Sequence, residues 1–309
     1  MKKFLKNTTL FLLPLIIIII LFFTLFVYIN NQSNVFKIEP SISNVYIGDS
    51  HIQLAINDSI IPNSINIATS AESFYFSYYK LKMVLDNNPS IDTVYLGLSY
   101  HSLSIYYNRF INGDCSAAVA PNYFYLLPLD EQFRMINWNT NNLIPFMLSI
   151  IEQSINRVVN KKNYPYIDGF IYRFEKTKAN KSSMDKRLHF QYYTNKRVNA
   201  FSKLNIDYLD KIIDMCKSKG VVLITLNTPL HEYYYKNTPV KYKEKLRDLI
   251  NSRGLNYIDL SKIKLDDDCF IPDGDHVSEK GADKTTTLLK DIIKHKHTAL
   301  YKNNNCDSE

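Results

Sequence analysis

Val45-Tyr46-Ile47-Gly48-Asp49-Ser50-His51-Ile52-Gln53, VYIGDSHIQ, packs an apolar run, a glycine stop and three polar residues into nine positions. The run reads as a strand and the residues after Gly48 as the start of a helix. A serine at that junction has two uses. Its side chain can cap the helix, or its hydroxyl can be held out past the strand end as a nucleophile. A helix start directs unpaired N–H groups and the positive end of the dipole at whatever lies there, and the N–H of Ser50 itself can face a developing oxyanion. A serine hydroxyl is a weak nucleophile without a base, and that base can be remote in sequence if it is close in space. The stretch alone leaves both uses open.

Strand and helix patterns alternate outward from it. Ser64 to Ala68 reads as a second strand, 71–86 as a helix, and Asp92 to Leu98 as a third strand with Gly97 near its end. A helix fits Val198 to Lys219, then the strongly strand-like VVLITLN, Val221 to Asn227, then a helix over Val240 to Ser252. LNYIDL reads as a fifth strand and Glu279 to Lys294 as a last helix. Apolar, β-branched strands alternating with helices predict an α/β domain with a mostly parallel sheet covered on both faces. Such sheets place reactive groups past the carboxyl ends of their strands. Residues 105–195 break the rhythm and read as a large insertion, aromatic-rich and containing the single tryptophan, Trp138. Within it 143–159 fits an amphipathic helix.

The far end of the chain supplies the base. FIPDGDHVSEKGADK puts Asp273 and His276 three residues apart, after the last strand and before the last helix. That is the same sheet edge as Ser50. His276 can take the serine proton while Asp273 fixes its tautomer; Asp275 is a second candidate for that role. His231, in NTPLHEYY after the strongest strand, is a rival base or substrate contact at the same edge, and Asn227 also faces it. Asp266, Asp267 and Asp268 form an acidic run without histidines at a fixed spacing, read as a solvated turn, so no metal site and no cofactor is expected.

These blocks resemble the SGNH, or GDSL, family of esterases and acyltransferases. Gly48-Asp49-Ser50 matches the first block and Asp273-Gly274-Asp275-His276-Val277-Ser278 with Gly281 the last. The resemblance implies a flavodoxin-like three-layer sandwich with Ser50, Asp273 and His276 as a catalytic triad. It spans residues 43–294 apart from the insertion. The middle blocks depart from the family pattern. NIATS, Asn66 to Ser70, puts Ser70 where the family has an oxyanion-hole glycine, and LGLSYHS keeps Gly97 but has Ser99 in place of the asparagine. The Ser70 N–H can still donate, and Ser99 or His101 is expected to aim a donor at the oxyanion; one such donor is worth about 3 kcal/mol. Asn66 is expected to tie loops together.

The first segment sets the location. Leu10 to Ile29 is nearly all apolar, long enough for a bilayer core of about 30 Å, and Lys2, Lys3 and Lys6 precede it. The lysine excess predicts a single-pass signal anchor with a cytoplasmic N-terminus and an extracytoplasmic domain; the run is long for a cleaved signal core. The chain then divides into 1–9 (cytoplasmic), 10–29 (transmembrane), 30–42 (stalk), 43–296 (the α/β domain) and 297–309 (a loose polar tail). An exported location permits disulfides; of Cys115, Cys216, Cys269 and Cys306, the pair Cys115–Cys269 is the first candidate. Net charge is +7 without a block of basic residues, which argues against nucleic acid as a partner. The expected function is a serine-dependent esterase or O-acyltransferase acting on O-acyl, such as O-acetyl, groups of a surface glycan or lipid-linked saccharide. An inactive SGNH-like module that binds or organises glycan synthesis is the second reading.

Overall fold

The computed structural model describes residues 2–32, 36–160, 169–174 and 177–304. In chain order the elements are α1 (Lys2–Gln32), β1 (Asn44–Ile47), α2 (Ser50–Ala55), β2 (Ser64–Asn66), α3 (Phe74–Asn87) and β3 (Thr93–Gly97). The insertion follows with α4 (Asn108–Asn112), α5 (Ser116–Val119), α6 (Leu129–Trp138), α7 (Leu143–Asn160) and α8 (Lys181–Tyr192). A short antiparallel pair, β4 (Tyr193–Thr194) and β5 (Arg197–Val198), leads into α9 (Lys203–Ser218), β6 (Val222–Asn227), α10 (Glu232–Asn237), α11 (Val240–Arg253), β7 (Asn256–Asp259) and α12 (Glu279–Asn304).

The main sheet is parallel throughout, in the order β2-β1-β3-β6-β7. Counting only its own strands this is 2-1-3-4-5, the flavodoxin-like order, so the α/β class and the three-layer sandwich expected from the sequence are what the chain adopts. Side chains alternate through the sheet as strand geometry requires. Val45, Ile47, Val94 and Leu96 point into a core with α3, α9 and α11, while Tyr46, Tyr95, Leu226 and Ile258 point to the opposite face under α2 and α12. Tyr46 and Tyr95, neighbours in register, stack at 4.5 Å.

One close approach sets the height of α2. Ile52 lies directly over Gly48 and Gly97; a Cβ on Gly97 would sit 2.5 Å from Ile52 Cγ1, and one on Gly48 3.1 Å from it. Gly48 also holds φ at +150°, a conformation other residues rarely adopt. The glycines at the ends of β1 and β3 therefore let α2 settle onto the sheet rim.

Several boundaries differ from the sequence reading. The α9 helix begins at Lys203, not Val198, because Ser202 caps it through Asn205 N–H and residues 197–198 pair with 193–194. The stalk is shorter than 30–42: α1 runs to Gln32, and by Phe36 the chain is tied to the body. Asn88 at the end of α3 donates to the Phe36 carbonyl and accepts from Ile38 N–H at 2.6 Å. Residues 297–304, expected to be loose, continue α12; the rest of the tail, with Cys306, lies outside the described residues, as does 161–168 of the insertion. Cys115 and Cys269 are free thiols, as is Cys216, so the expected Cys115–Cys269 bridge is not formed. Cys269 is buried in the α12-side core. The α1 helix is apolar enough to cross a membrane.

Gly97→Ala tests the seating of α2. The added methyl is expected to cost about 1–3 kcal/mol in urea unfolding.

Candidate active site

The α2 helix starts where β1 ends, and its cap is Asp49. The Asp49 Oδ1 accepts from His51 N–H at 2.9 Å. Ser50 is therefore the first helical residue, and its hydroxyl is free for other work. Ser50 Oγ lies 2.8 Å from His276 Nε2, across 226 positions of sequence. On the other side of the ring, His276 Nδ1 lies 2.8 Å from Asp273 Oδ2. A ring nitrogen facing a carboxylate carries the proton, which leaves Nε2 as the acceptor for the serine hydroxyl.

A tight turn holds Asp273 and His276 together. The Asp273 Oδ1 accepts the N–H groups of both Asp275 and His276 at 3.1 Å, and Gly274 sits at φ +61° between them. Burial alone would push the Asp273 carboxyl up, but the facing His276 ring holds it below the usual carboxylate range. Asp275 does not share the triad position. It is fully buried and directed away, toward Arg187 Nε at 2.7 Å, Gln191 Nε2 at 2.8 Å and His51 Nε2 at 3.2 Å. Burial opposes ionisation there too, and His51 with Arg187 outweighs it, keeping the carboxyl well below its ordinary range.

A second buried carboxylate lies on the far side. Asp49 Oδ2 accepts from Tyr107 and lies 2.8 Å from His101 Nε2. Its burial penalty is overcome by His51 and His101, so it too stays ionised. Burial, in turn, drives the His101 imidazole down in pKa. The three rings form a short stack, with His51 4.1 Å from His101 and 4.7 Å from His276. Sequence reasoning missed this supporting set: His51, Tyr107, Arg187 and Gln191. The one local signal was His51, directly after the serine; Arg187 and Gln191 show only as an i, i+4 pair on α8.

The expected oxyanion donors fall differently. The Ser99 hydroxyl donates to Asn227 Oδ1 at 2.7 Å and its N–H to Ser102 Oγ at 3.1 Å. With His101 held by Asp49, both side chains hydrogen-bond into the buried scaffold. Ser70 is exposed on the loop after β2, its hydroxyl on Gln53 Oε1 at 2.6 Å. That loop is drawn to the site edge by Thr69 N–H donating to the Gly48 carbonyl. Asn66 bonds the carbonyls of Ile52 and Ile56 and the N–H of Ala68, tying the α2 segment to the loop after β2. His231 caps α10 through Tyr233 N–H, and its other nitrogen pairs with Asp267 at 3.1 Å; its ring is committed away from Ser50.

Two carboxylate groups merit a test as cation sites. The ligand atoms of His51, His101 and Asp275 lie within 4.8 Å of one another, but the Arg187 guanidinium already occupies Asp275 and repels a metal ion. Asp266 and Asp268 are neutralised by Lys284 and Lys280.

No family model matches the chain, and no curated protein matches it. Among solved structures it is similar to a candidate acylhydrolase from Bacteroides fragilis, at 10% identity and a TM-score of 0.38, covering 82% of this chain and 87% of that one. It is similar to a GDSL-like lipase from Bacteroides thetaiotaomicron at 9% identity and a TM-score of 0.36, covering 84% and 91%. A candidate platelet activating factor protein from Streptococcus pneumoniae gives 13% identity and a TM-score of 0.36, with 94% and 97% covered. Similarity this low says nothing about the site, which stands on its own distances.

Arg187→Met strips the main countercharge from Asp275 and is expected to cost about 3 kcal/mol of stability, read by urea unfolding. The pH dependence follows from the lowered Asp275 pKa. The stabilisation by the ionised carboxylate is full above its ordinary value of about 4 and is lost as pH falls through the lower folded value. The stability gap between wild type and Asp275→Asn should therefore be widest near neutrality and narrow in acid.

Proposed function

We propose that the chain is an ester hydrolase or acyltransferase of SGNH type that works through an acyl-serine. The observation that carries this reading is the unbroken relay from Ser50 through His276 to Asp273, with 2.8 Å at both steps. Hydroxyl and imidazole within hydrogen-bond reach, with the imidazole held by a carboxylate, is the arrangement nucleophilic acyl transfer requires.

In the first step His276 Nε2 takes the Ser50 proton as Oγ bonds to the ester carbonyl carbon. The carbonyl oxygen becomes the oxyanion of a tetrahedral intermediate, facing the Ser50 and Ser70 N–H groups. The intermediate collapses with cleavage of the ester C–O bond, and the departing alkoxide takes the proton from His276. His276 next takes a proton from water or a second hydroxyl as its oxygen bonds to the acyl carbon; the acyl–Oγ bond then breaks, Ser50 Oγ takes the proton back from His276, and a free acid or a new ester leaves. Asp273 compensates the imidazolium each time.

The N-terminal helix, apolar enough to span a bilayer, supports a tethered extracytoplasmic enzyme. A tether favours an immobile or lipid-linked acceptor over a free metabolite, and an O-acylated surface glycan is the substrate class we assign. The engagement of Ser99 and His101 elsewhere favours a second reading, a module that binds acylated glycan without turning it over.

A fluorophosphonate probe should label the full chain and fail to label Ser50→Ala; no labelling of folded wild type leaves the binding module. On an acetylated saccharide or a chromogenic acetyl ester, His276→Ala should lower kcat by roughly 10⁶-fold, while His231→Ala should leave turnover within a few-fold of wild type. A loss on His231→Ala with His276→Ala active would remove the assignment of the base.

A further inference from the structure

The insertion carries an apolar face that the α/β body does not cover. In α7, Phe146 and Ile150 are buried in the core, while Ile144, Leu148, Ile151 and Ile155 are exposed, at 73%, 61%, 44% and 46%. Their spacing of four, three and four residues places them on one stripe of the helix. The α6 helix does the same: Met135 is buried, and Leu129 and Phe133, one turn apart, are 62% and 66% exposed. Six large aliphatic and aromatic side chains therefore face outward from two adjacent helices, a concentration that marks a contact surface.

The α1 helix shows what covers it. A cavity of about 670 Å³ lies between Ile18 and Ile19 of α1 and the edge of this face, with Phe133, Ile151 and Ile155 among its walls. Five residues further along, Thr24 borders a cavity of different character, with Tyr79, Lys82, Asp86 and Gln132 around it. Ile18 and Ile19 belong to the stretch of α1 that is apolar enough to cross a membrane. The α6–α7 stripe lies beside that stretch. From Leu10 to Leu21 the large side chains of α1 are themselves exposed, at 42% or more, and require the same apolar surroundings.

We propose that α6 and α7 form a membrane-seated platform: their stripe is buried in the outer acyl–headgroup boundary of the bilayer that α1 crosses. Amphipathic helices bind in this manner, with the apolar face sunk about 5–10 Å. The platform fixes the domain against the bilayer instead of leaving it on a free tether. The inference rests on α1 being inserted and is independent of the chemistry at Ser50.

The test uses the full chain in phosphatidylcholine–phosphatidylglycerol vesicles and its single tryptophan. With Trp138→Phe as background, Phe133→Trp and, separately, Leu148→Trp place one reporter on the stripe. Thr287→Trp places one on α12, across the sheet. Bromine-labelled phosphatidylcholine should quench the Phe133→Trp and Leu148→Trp reporters, with a blue-shifted emission, and leave the Thr287→Trp reporter unchanged. Circular dichroism confirms that each variant is folded. Chains that float with the vesicles but show no quenching at either stripe position overturn the platform, as does cross-linking of the stripe to a second copy. Failure of the wild-type chain to float overturns it at the level of α1. None of these readouts depends on acyl turnover.

Discussion

Two buried carboxylates, Asp49 and Asp275, have to be neutralised on either side of a three-histidine stack, and the architecture of the rim follows from that requirement. An unpaired buried charge is costly by several kcal/mol. Each carboxylate is accordingly matched from more than one direction. Asp49 has His101, Tyr107 and the N-terminus of α2; Asp275 has Arg187, Gln191 and His51. Tyr107, Arg187 and Gln191 all come from the insertion. Residues 105–195 are thus more than a cover laid over the sheet, since they supply the counterparts without which the serine and histidine segments could not be held so close.

The same requirement separates the roles of neighbouring groups. Asp273 and Asp275 flank one glycine and have the same chemistry. One faces the imidazole that touches Ser50, and the other faces a guanidinium. His51 and His276 lie within 4.7 Å of each other, yet only His276 reaches the serine hydroxyl, because His51 is drawn back by Asp275 and Thr228. Geometry and countercharge divide the rim into a relay and a buttress.

What the sequence disclosed follows the same division. Parallel pairing was readable from the β-branched runs alternating with helices, and the placement of residues 50 and 276 at one sheet edge from the elements that flank them; the strand order and the choice of Asp273 came only with the family resemblance. The question of the cap was not readable, since Asp49 and Ser50 are both good caps, and only the helix start distinguishes them. Ser99 and His101 looked like oxyanion donors because strand position places them at the active edge. Nothing local indicated that Asn227 and Asp49 would claim their hydrogen bonds. Arg187 and Gln191 were invisible for a related reason: a charge on a polar helix shows no sign of the buried carboxylate it will meet more than eighty positions later. The disulfide expectation failed on packing, since Cys269 lies in a core that Cys115 does not enter.

The insertion therefore has two faces with separate physical demands. Toward the rim it bonds Asp49 and Asp275 through α8 and the segment before α4. Its outer face, on α6 and α7, is apolar, borders α1 along one edge and is otherwise exposed. With the stripe seated in the bilayer as proposed, the insertion that buttresses the rim would also hold the rim near the plane of the bilayer. An acyl acceptor carried on a lipid, or a polymer emerging beside α1, would then meet Ser50 at a fixed level, with less orientational freedom to lose than on a swinging stalk. Effective concentration depends on that restriction, which gives a physical reason for placing a large insertion between the strands of an otherwise regular sandwich.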